Sequence, residues 1–387
     1  MKRSETRILT THAGSLPRPP ELLDLYVRRA GGEDISPEEL EGRVQAALRW
    51  VIPRQEAAGV DIGNNGEAPR EGFFLYAQHR MSGFEGSWER PFGRDATQYP
   101  TFMQLRASQL SNREAVTNFG PPEAVGEVEY LDPEAANKEG SDFKAVLEET
   151  GSRFVEGFLT APSPGIIATA MRNRHYDTQE AYVNALADAL RFEYEAIVRN
   201  GFVLQLDCPD LAMERHMLFA DRPLSEFLAF AEIVVDAINR ALINIPRERV
   251  RLHVCWGNYE GPHNLDIPLD DLRSTLASAD VGAFVFPLGN PRHAHEYHSF
   301  EQTPLADDQV LVAGVIDTTS NLVEHPEVVA ERLERIARAV GDPTRVIAGT
   351  DCGFDTSAGM GAVAEEVVWA KLSALAEGAR LATERLY

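Results

Sequence analysis

Three cysteines stand in 387 residues, and each closes an apolar, strand-like run: FVLQLDC ends at Cys208, VRLHVC at Cys255 and RVIAGTDC at Cys352. His253 precedes Cys255 by two residues. Side chains two apart on a strand share a face, so an imidazole and a thiolate would project together from one strand end. A second sulfur arriving from Cys352 would complete an N/S/S donor set, which suits Zn²⁺ better than Mg²⁺ or Ca²⁺. The competing reading makes these cysteines small buried hydrophobes, the usual fate of a free thiol. A lone cysteine fits that reading; His-x-Cys joined to a distant strand-end cysteine points to a metal.

Positioning such residues requires a parallel sheet with helices on its faces. Apolar or β-branched runs recur at residues 7–15, 59–67, 153–161, 201–208, 249–255, 280–287, 309–317 and 345–352. Between several of them lie stretches with i, i+3/i+4 apolar spacing, such as SPEELEGRVQAALRWVIPRQEAAG and VEHPEVVAERLERIARAVG. Glycines at 59, 201 and 341 fall where a helix should stop before the next strand. Eight alternating units predict an α/β fold of the (βα)8 TIM-barrel type, with residues 1–387 as a single catalytic domain. A doubly wound sheet is the weaker alternative, because no G-x-G-x-x-G follows an early strand. Residues 68–152 are far more than a βα unit needs, and predict an insertion after strand 2 on or near the catalytic face.

In a barrel the C-terminal strand ends line the active site. Here they collect His12 with Gly14 and Ser15, Asn65-Gly66-Glu67, Asp207-Cys208, His253 with Cys255 and Trp256, Asn290 with Arg292 and His293, then Asp317, Asp351 and Cys352. Single carboxylates, Asp317 and Asp351 especially, read equally well as helix N-caps. The ensemble is what argues for a site.

The 37 Lys+Arg against 60 Asp+Glu leave a formal charge of −23, which excludes nucleic acid and anionic membranes as natural partners. The first residues lack the apolar core of a secretory signal, and three dispersed cysteines make no disulfide framework. A reducing cytoplasm is therefore expected, with small molecules as partners and homo-oligomerisation compatible.

With the sulfur pattern placed on a barrel, the chain resembles the cobalamin-independent methionine synthase family, in particular its single-barrel bacterial members. The resemblance rests on THAGSLPRP, NNGEAPREGF, LQLDCPDLAM, LHVCWGNYEGPH, GNPRHAHE, IDTTSNLVEHPE and VIAGTDCGF, which run nearly end to end. It implies Zn²⁺ held by His253, Cys255 and Cys352. It further implies a thiol substrate held by His12, Gly14, Ser15, Glu67 and Asp207, the acids meeting an amino group. Cys208, Trp256, Arg292, His293, Glu296, Asp317 and Asp351 would then form the wall or outer shell.

The chain departs from the family pattern at the glutamate that completes the zinc site, where Pro287 stands. Water, substrate, Glu296 or a histidine of 293–298 is left to fill that position. Thr318 falls where the synthase has an assisting histidine, and LTAPSPGII supplies no tryptophan for folate. The expected activity is zinc-dependent alkyl (methyl) transfer to a thiol. The alternatives are thiol addition to an epoxide, or the reverse C–S cleavage, with Arg18, Arg172 and Arg292 as candidate anchors for a sulfonate, and a non-catalytic thiol-binding barrel.

Overall fold

Every residue of the chain except 112 is described in the computed structural model. Among the described residues nine strands form: β1 Ile62–Gly63, β2 Phe84–Glu85, β3 Glu123–Ala124, β4 Glu156–Pro162, β5 Val203–Asp207, β6 Val250–His253, β7 Ala283–Pro287, β8 Val310–Ile316 and β9 Val346–Thr350. One parallel sheet runs in the order β1-β4-β5-β6-β7-β8-β9, and β2 pairs with β3 separately. Each strand of the large sheet falls within one of the runs read from the sequence, except that β4 extends one residue beyond its run, to Pro162. β5 to β9 are buried along their whole length, as parallel strands covered on both faces must be.

The first run, 7–15, differs from expectation. It forms no strand, but Thr10 bridges Ala348 of β9 and Thr11 bridges Ile62 of β1, both in parallel. The sheet thus curls until its two edge strands share one neighbour. Side chains interrupt the ladder there: Thr10 N–H donates to Asp61 Oδ2 (3.0 Å) and Ala13 N–H to Thr350 Oγ1 (3.1 Å). Regular pairing therefore stops after two residues.

Alternation along the strands sorts the apolar residues into two cores. Ala283 and Val285 of β7, with Val310 and Val312 of β8, join Leu9, Ile62, Phe158, Val203 and Ile347 inside the curl. Phe284, Phe286, Leu311 and Ala313 face the surrounding helices. Those helices include Pro37–Ala57, Gln179–Arg199, Leu224–Ala241 and Pro326–Val340. Ser36, Thr178 and His325 cap three of them through side chains that accept from backbone N–H groups.

Residues 68–152 contain the β2–β3 pair and several short helices. Their last helix, Pro133–Thr150, packs against both Pro37–Ala57 and Gln179–Arg199, so it serves as the covering helix between β1 and β4. A buried ion cluster ties the start of the segment to this layer: Arg70 meets Glu139 (3.1 Å) and Glu193 (3.3 Å), and Arg80 meets Glu193 (3.1 Å).

Candidate active site and metal centre

Two adjacent parallel strands carry two polar rungs into the curl. The register of β5 on β6 places Gln205 beside Arg251 and Asp207 beside His253. Because i and i+2 share a face, one rung stands above the other. Arg251 Nε donates to Gln205 Oε1 (2.8 Å), and Gln205 Nε2 donates to Asp207 Oδ1 (2.7 Å). Asp207 Oδ1 in turn lies 3.0 Å from His253 Nδ1. Arg251 also donates to the carbonyl of His12 (3.1 Å). The lower rung therefore holds both the upper rung and the weakly paired N-terminal stave.

At the top of the curl His253, Cys255 and Cys352 meet, each buried, with ligand atoms all within 4.8 Å of one another. Tetrahedral zinc separates such atoms by roughly 3.5 Å, so the donors fit a zinc-class cation. Asp207 holds the second nitrogen of His253, as the outer-shell partner of a metal-binding histidine does. Burial pulls the His253 pKa down, but the Cys255 thiolate and Asp207 outweigh it and push it up to about 10. A hydrogen bond from Cys352, against burial and with help from His253, holds the Cys255 thiol well below its usual range. Cys352, which gives that hydrogen bond and is buried, is pushed well above. A metal held here would take the sulfurs as thiolates and the imidazole as its neutral form.

The N-terminal turn and the 64–67 turn form the facing wall. Asn64 Oδ1 accepts from Gly66 N–H (2.7 Å) and Asn65 Oδ1 from Glu67 N–H (2.9 Å), the way asparagine side chains fold a backbone two residues on. Glu67 is thereby set at φ 56, an uncommon and costly conformation for a residue with a Cβ. Its Oε1 accepts from Thr160 Oγ1 (2.9 Å), while Oε2 is buried without a partner. Burial, then the neighbouring Asp207, raise the Glu67 carboxyl to about 7. Gly14, at φ +133, makes room for it: a Cβ there would lie 2.6 Å from Glu67 Oε1. Gly353 is equally constrained, since its Cβ would meet Ser15 Oγ at 2.1 Å.

These groups floor a cavity of about 240 Å³ lined by Ser15, Glu67, Asp207, His253, Cys255 and Cys352. The rest of its wall is largely apolar, with Phe73, Phe74, Phe92, Phe102 and Met103 from residues 68–152 and Met213, Met217 and Met360 from elsewhere, and Arg90 and Arg106 also line it. Asn258 fastens the two sulfur-bearing loops, donating to the carbonyl of Gly353 (2.7 Å) and accepting from Thr318 Oγ1 (3.0 Å). Thr318 itself lines the cavity.

Other residues singled out in the sequence lie elsewhere. His12 is buried between Gln55 Oε1 (2.9 Å) and the Gly14 N–H (3.3 Å), and burial lowers its pKa to about 4. Cys208 packs in the outer core, its thiol raised chiefly by burial. Trp256 donates to the Ile267 carbonyl (2.8 Å) and stacks on His293. Asp317 caps its own loop, accepting from Thr319 and Ser320. Asp351 accepts from the N–H groups of Gly289 and Asn290 (both 2.8 Å), and burial lifts it to about 7. Pro287 ends β7, paired with Gly314. Glu296 and His293 gather around Asp266, away from the sulfur cluster. Arg18 is bound to Asp355 (2.8 Å) and backbone carbonyls, whereas Arg172 and Arg292 are exposed. None of these three arginines lines the cavity.

Sequence reasoning passed over Gln205, Arg251 and Asn258. For the first two the signal was present: each is a polar interruption two residues before a singled-out acid or ligand in an otherwise apolar strand. His216, His263 and Asp266 were also passed over, and their loops carry no periodicity that marks them.

The profile of the family described as cobalamin-independent synthase, catalytic domain, matches residues 106–371. The methionine synthase of Thermococcus kodakarensis is 26% identical over 346 residues, covering 89% of this chain and 86% of that one. That of Saccharolobus solfataricus is 24% identical over 381 residues, covering 97% and 95%. In fold, the chain is similar to a B12-independent methionine synthase from Shewanella sp. W3-18-1, solved in complex with selenomethionine. The TM-score is 0.69 at 19% identity, over 98% of this chain and 99% of that one. With its strand-end sulfur cluster and this match over most of its length, the chain belongs to the cobalamin-independent methionine synthase family.

Proposed function

We propose that this protein is a zinc-dependent methyltransferase acting on a small amino-acid thiol, homocysteine in the reading its methionine synthase relatives favour. The observation that carries the proposal is the meeting of His253, Cys255 and Cys352 on the floor of a cavity walled by Glu67 and Asp207. In the same reading residues 1–387 form one closed (βα)8 barrel, with 68–152 an insertion after the second strand whose part before Pro133 lies over the catalytic mouth. A cytoplasmic setting follows from three free thiols. No helix among the described residues is long and apolar enough to cross a membrane.

Bound by these three residues, zinc would lower the pKa of an incoming thiol and present it as a thiolate at neutral pH. The chain's own groups do the rest. Glu67 offers an unpartnered buried oxygen, and Asp207 a second carboxylate, to the substrate's ammonium group. The phenylalanine and methionine wall keeps water from the nucleophile and admits the alkyl donor from the mouth. Pro287 leaves the fourth ligand position to water or substrate. An acidic pair suits an amino-acid thiol better than a sulfonate, so thiol addition to an epoxide is not favoured. The family's catalytic character disfavours a non-catalytic barrel.

The test is metal analysis of protein purified without added zinc, paired with a homocysteine methylation assay, before and after Cys352→Ala. One zinc lost together with the activity supports the proposal. Zinc well below stoichiometric in the unmutated protein overturns it.

A further inference from the structure

Away from the sulfur cluster, three imidazoles converge on one buried carboxylate. His263 Nδ1 and His293 Nε2 lie 2.9 Å and 2.8 Å from Asp266 Oδ2, and His216 Nδ1 lies 3.1 Å from Oδ1. The ligand atoms of His263, Asp266 and His293 are all within 4.8 Å of one another. They come from three rim loops: His216 after β5, His263 and Asp266 after β6, His293 after β7.

The outward ring nitrogens also face oxygen. His263 Nε2 is 3.0 Å from the Tyr259 carbonyl, and His293 Nδ1 is 3.6 Å from Glu296 Oε1. His216 Nε2 is 3.2 Å from the Tyr259 hydroxyl, whose hydrogen goes to Asp95 (2.5 Å). Carboxylates and carbonyls only accept, so without a metal His263, which faces an acceptor at each nitrogen, would have to be an imidazolium inside this buried cluster. A divalent cation removes that demand. Neutral imidazoles then turn a lone pair inward and donate their single N–H outward, the usual outer shell of metal-bound histidine. A second observation agrees: His216 Nδ1 and Asp266 Oδ1, both fully buried and 3.1 Å apart, make no aligned hydrogen bond.

We infer that His263, His293 and Asp266, with His216 as fourth donor, form a second divalent-metal site, zinc-class by its imidazole and carboxylate donors. None of the four lines the cavity, and four protein donors leave no open position, so the site is structural. It clamps three rim loops together. Two of its neighbours reach the sulfur site: Trp256, adjacent to Cys255, stacks on His293 at 3.8 Å, and Tyr259 lines the cavity. The inference stands independently of the methyl-transfer reading.

Cobalt(II) titration of the full-length Cys255→Ser/Cys352→Ser variant tests it, because that variant lacks the sulfur site and leaves the histidine cluster untouched. The expected result is a d–d absorption that saturates near one equivalent, carries no thiolate charge-transfer band, and disappears when Asp266→Asn is added. Absence of the d–d band overturns the proposal and leaves a hydrogen-bonded network. In the unmutated protein, metal bound only with a charge-transfer band, at one equivalent, also overturns it. One equivalent without that band supports this site and removes the zinc–sulfur reading instead.

Discussion

The sulfur cluster and the imidazole cluster meet in sequence at Cys255–Trp256 yet are built on opposite principles. His253 sits at the end of a fully buried strand, braced from below by Asp207, Gln205 and Arg251. Cys255 and Cys352 each stand two residues past a strand end, and all three proposed ligands open onto the cavity. The Asp266 cluster is assembled from three loops, and none of its residues lines that cavity. The contrast is that between an open site, where protein donors leave room for substrate, and a closed one, where they do not. Strands give the reactive site precision; the loops, which are softer, need a clamp of their own.

The largest expected effect breaks the sulfur side alone. Cys352→Ser should lower methyl transfer by more than about 10³-fold, beyond the 10–100-fold typical of outer-shell changes, while cobalt binding at Asp266 persists. Equal loss at both clusters would show that they are one unit. Next, Asp266→Asn should cost about 3 kcal/mol of stability in urea denaturation, because it strips the shared partner from three buried imidazoles. A change near zero would mean the clamp contributes nothing.

Asp207→Asn should weaken metal binding by about 10–100-fold in chelator competition, with the fold intact. Unchanged affinity would make Asp207 a substrate group only. The smallest effect concerns Glu67, whose carboxyl is raised from 4.5 to about 7 by burial and Asp207. A group raised in the folded state contributes stability below its unfolded pKa and loses it as pH climbs through the folded one. Relative to Glu67→Gln, the unmutated protein should therefore lose about 2–3 kcal/mol between roughly pH 5 and pH 8. A flat difference in thermal melts across that range would mean the carboxyl is solvated.

Much of this was legible because strand periodicity is local. His253 and Cys255 could be placed together from spacing alone, whereas Cys208, expected in the wall or outer shell, packs in the outer core. The helices between the strands announced themselves by i, i+3/i+4 apolar spacing and by glycines at 59, 201 and 341, all with positive φ in the structure. The N-terminal run misled in part. Its composition is strand-like, but Asp61 and Thr350 side chains take the hydrogen bonds a ladder would use. Residues 68–152 read as one insertion, whereas their last helix covers the sheet like its neighbours.

By itself, the sequence determined the order of strands and helices, which side chains share each strand face, and the His-x-Cys donor pair. Those follow from backbone geometry repeating every two or 3.6 residues. Only the tertiary structure decided that Cys352 meets that pair, that Arg251 and Gln205 brace it, and that His216, His263 and His293 find Asp266. Such meetings depend on how the sheet curls and how its loops pack, and no local period encodes that.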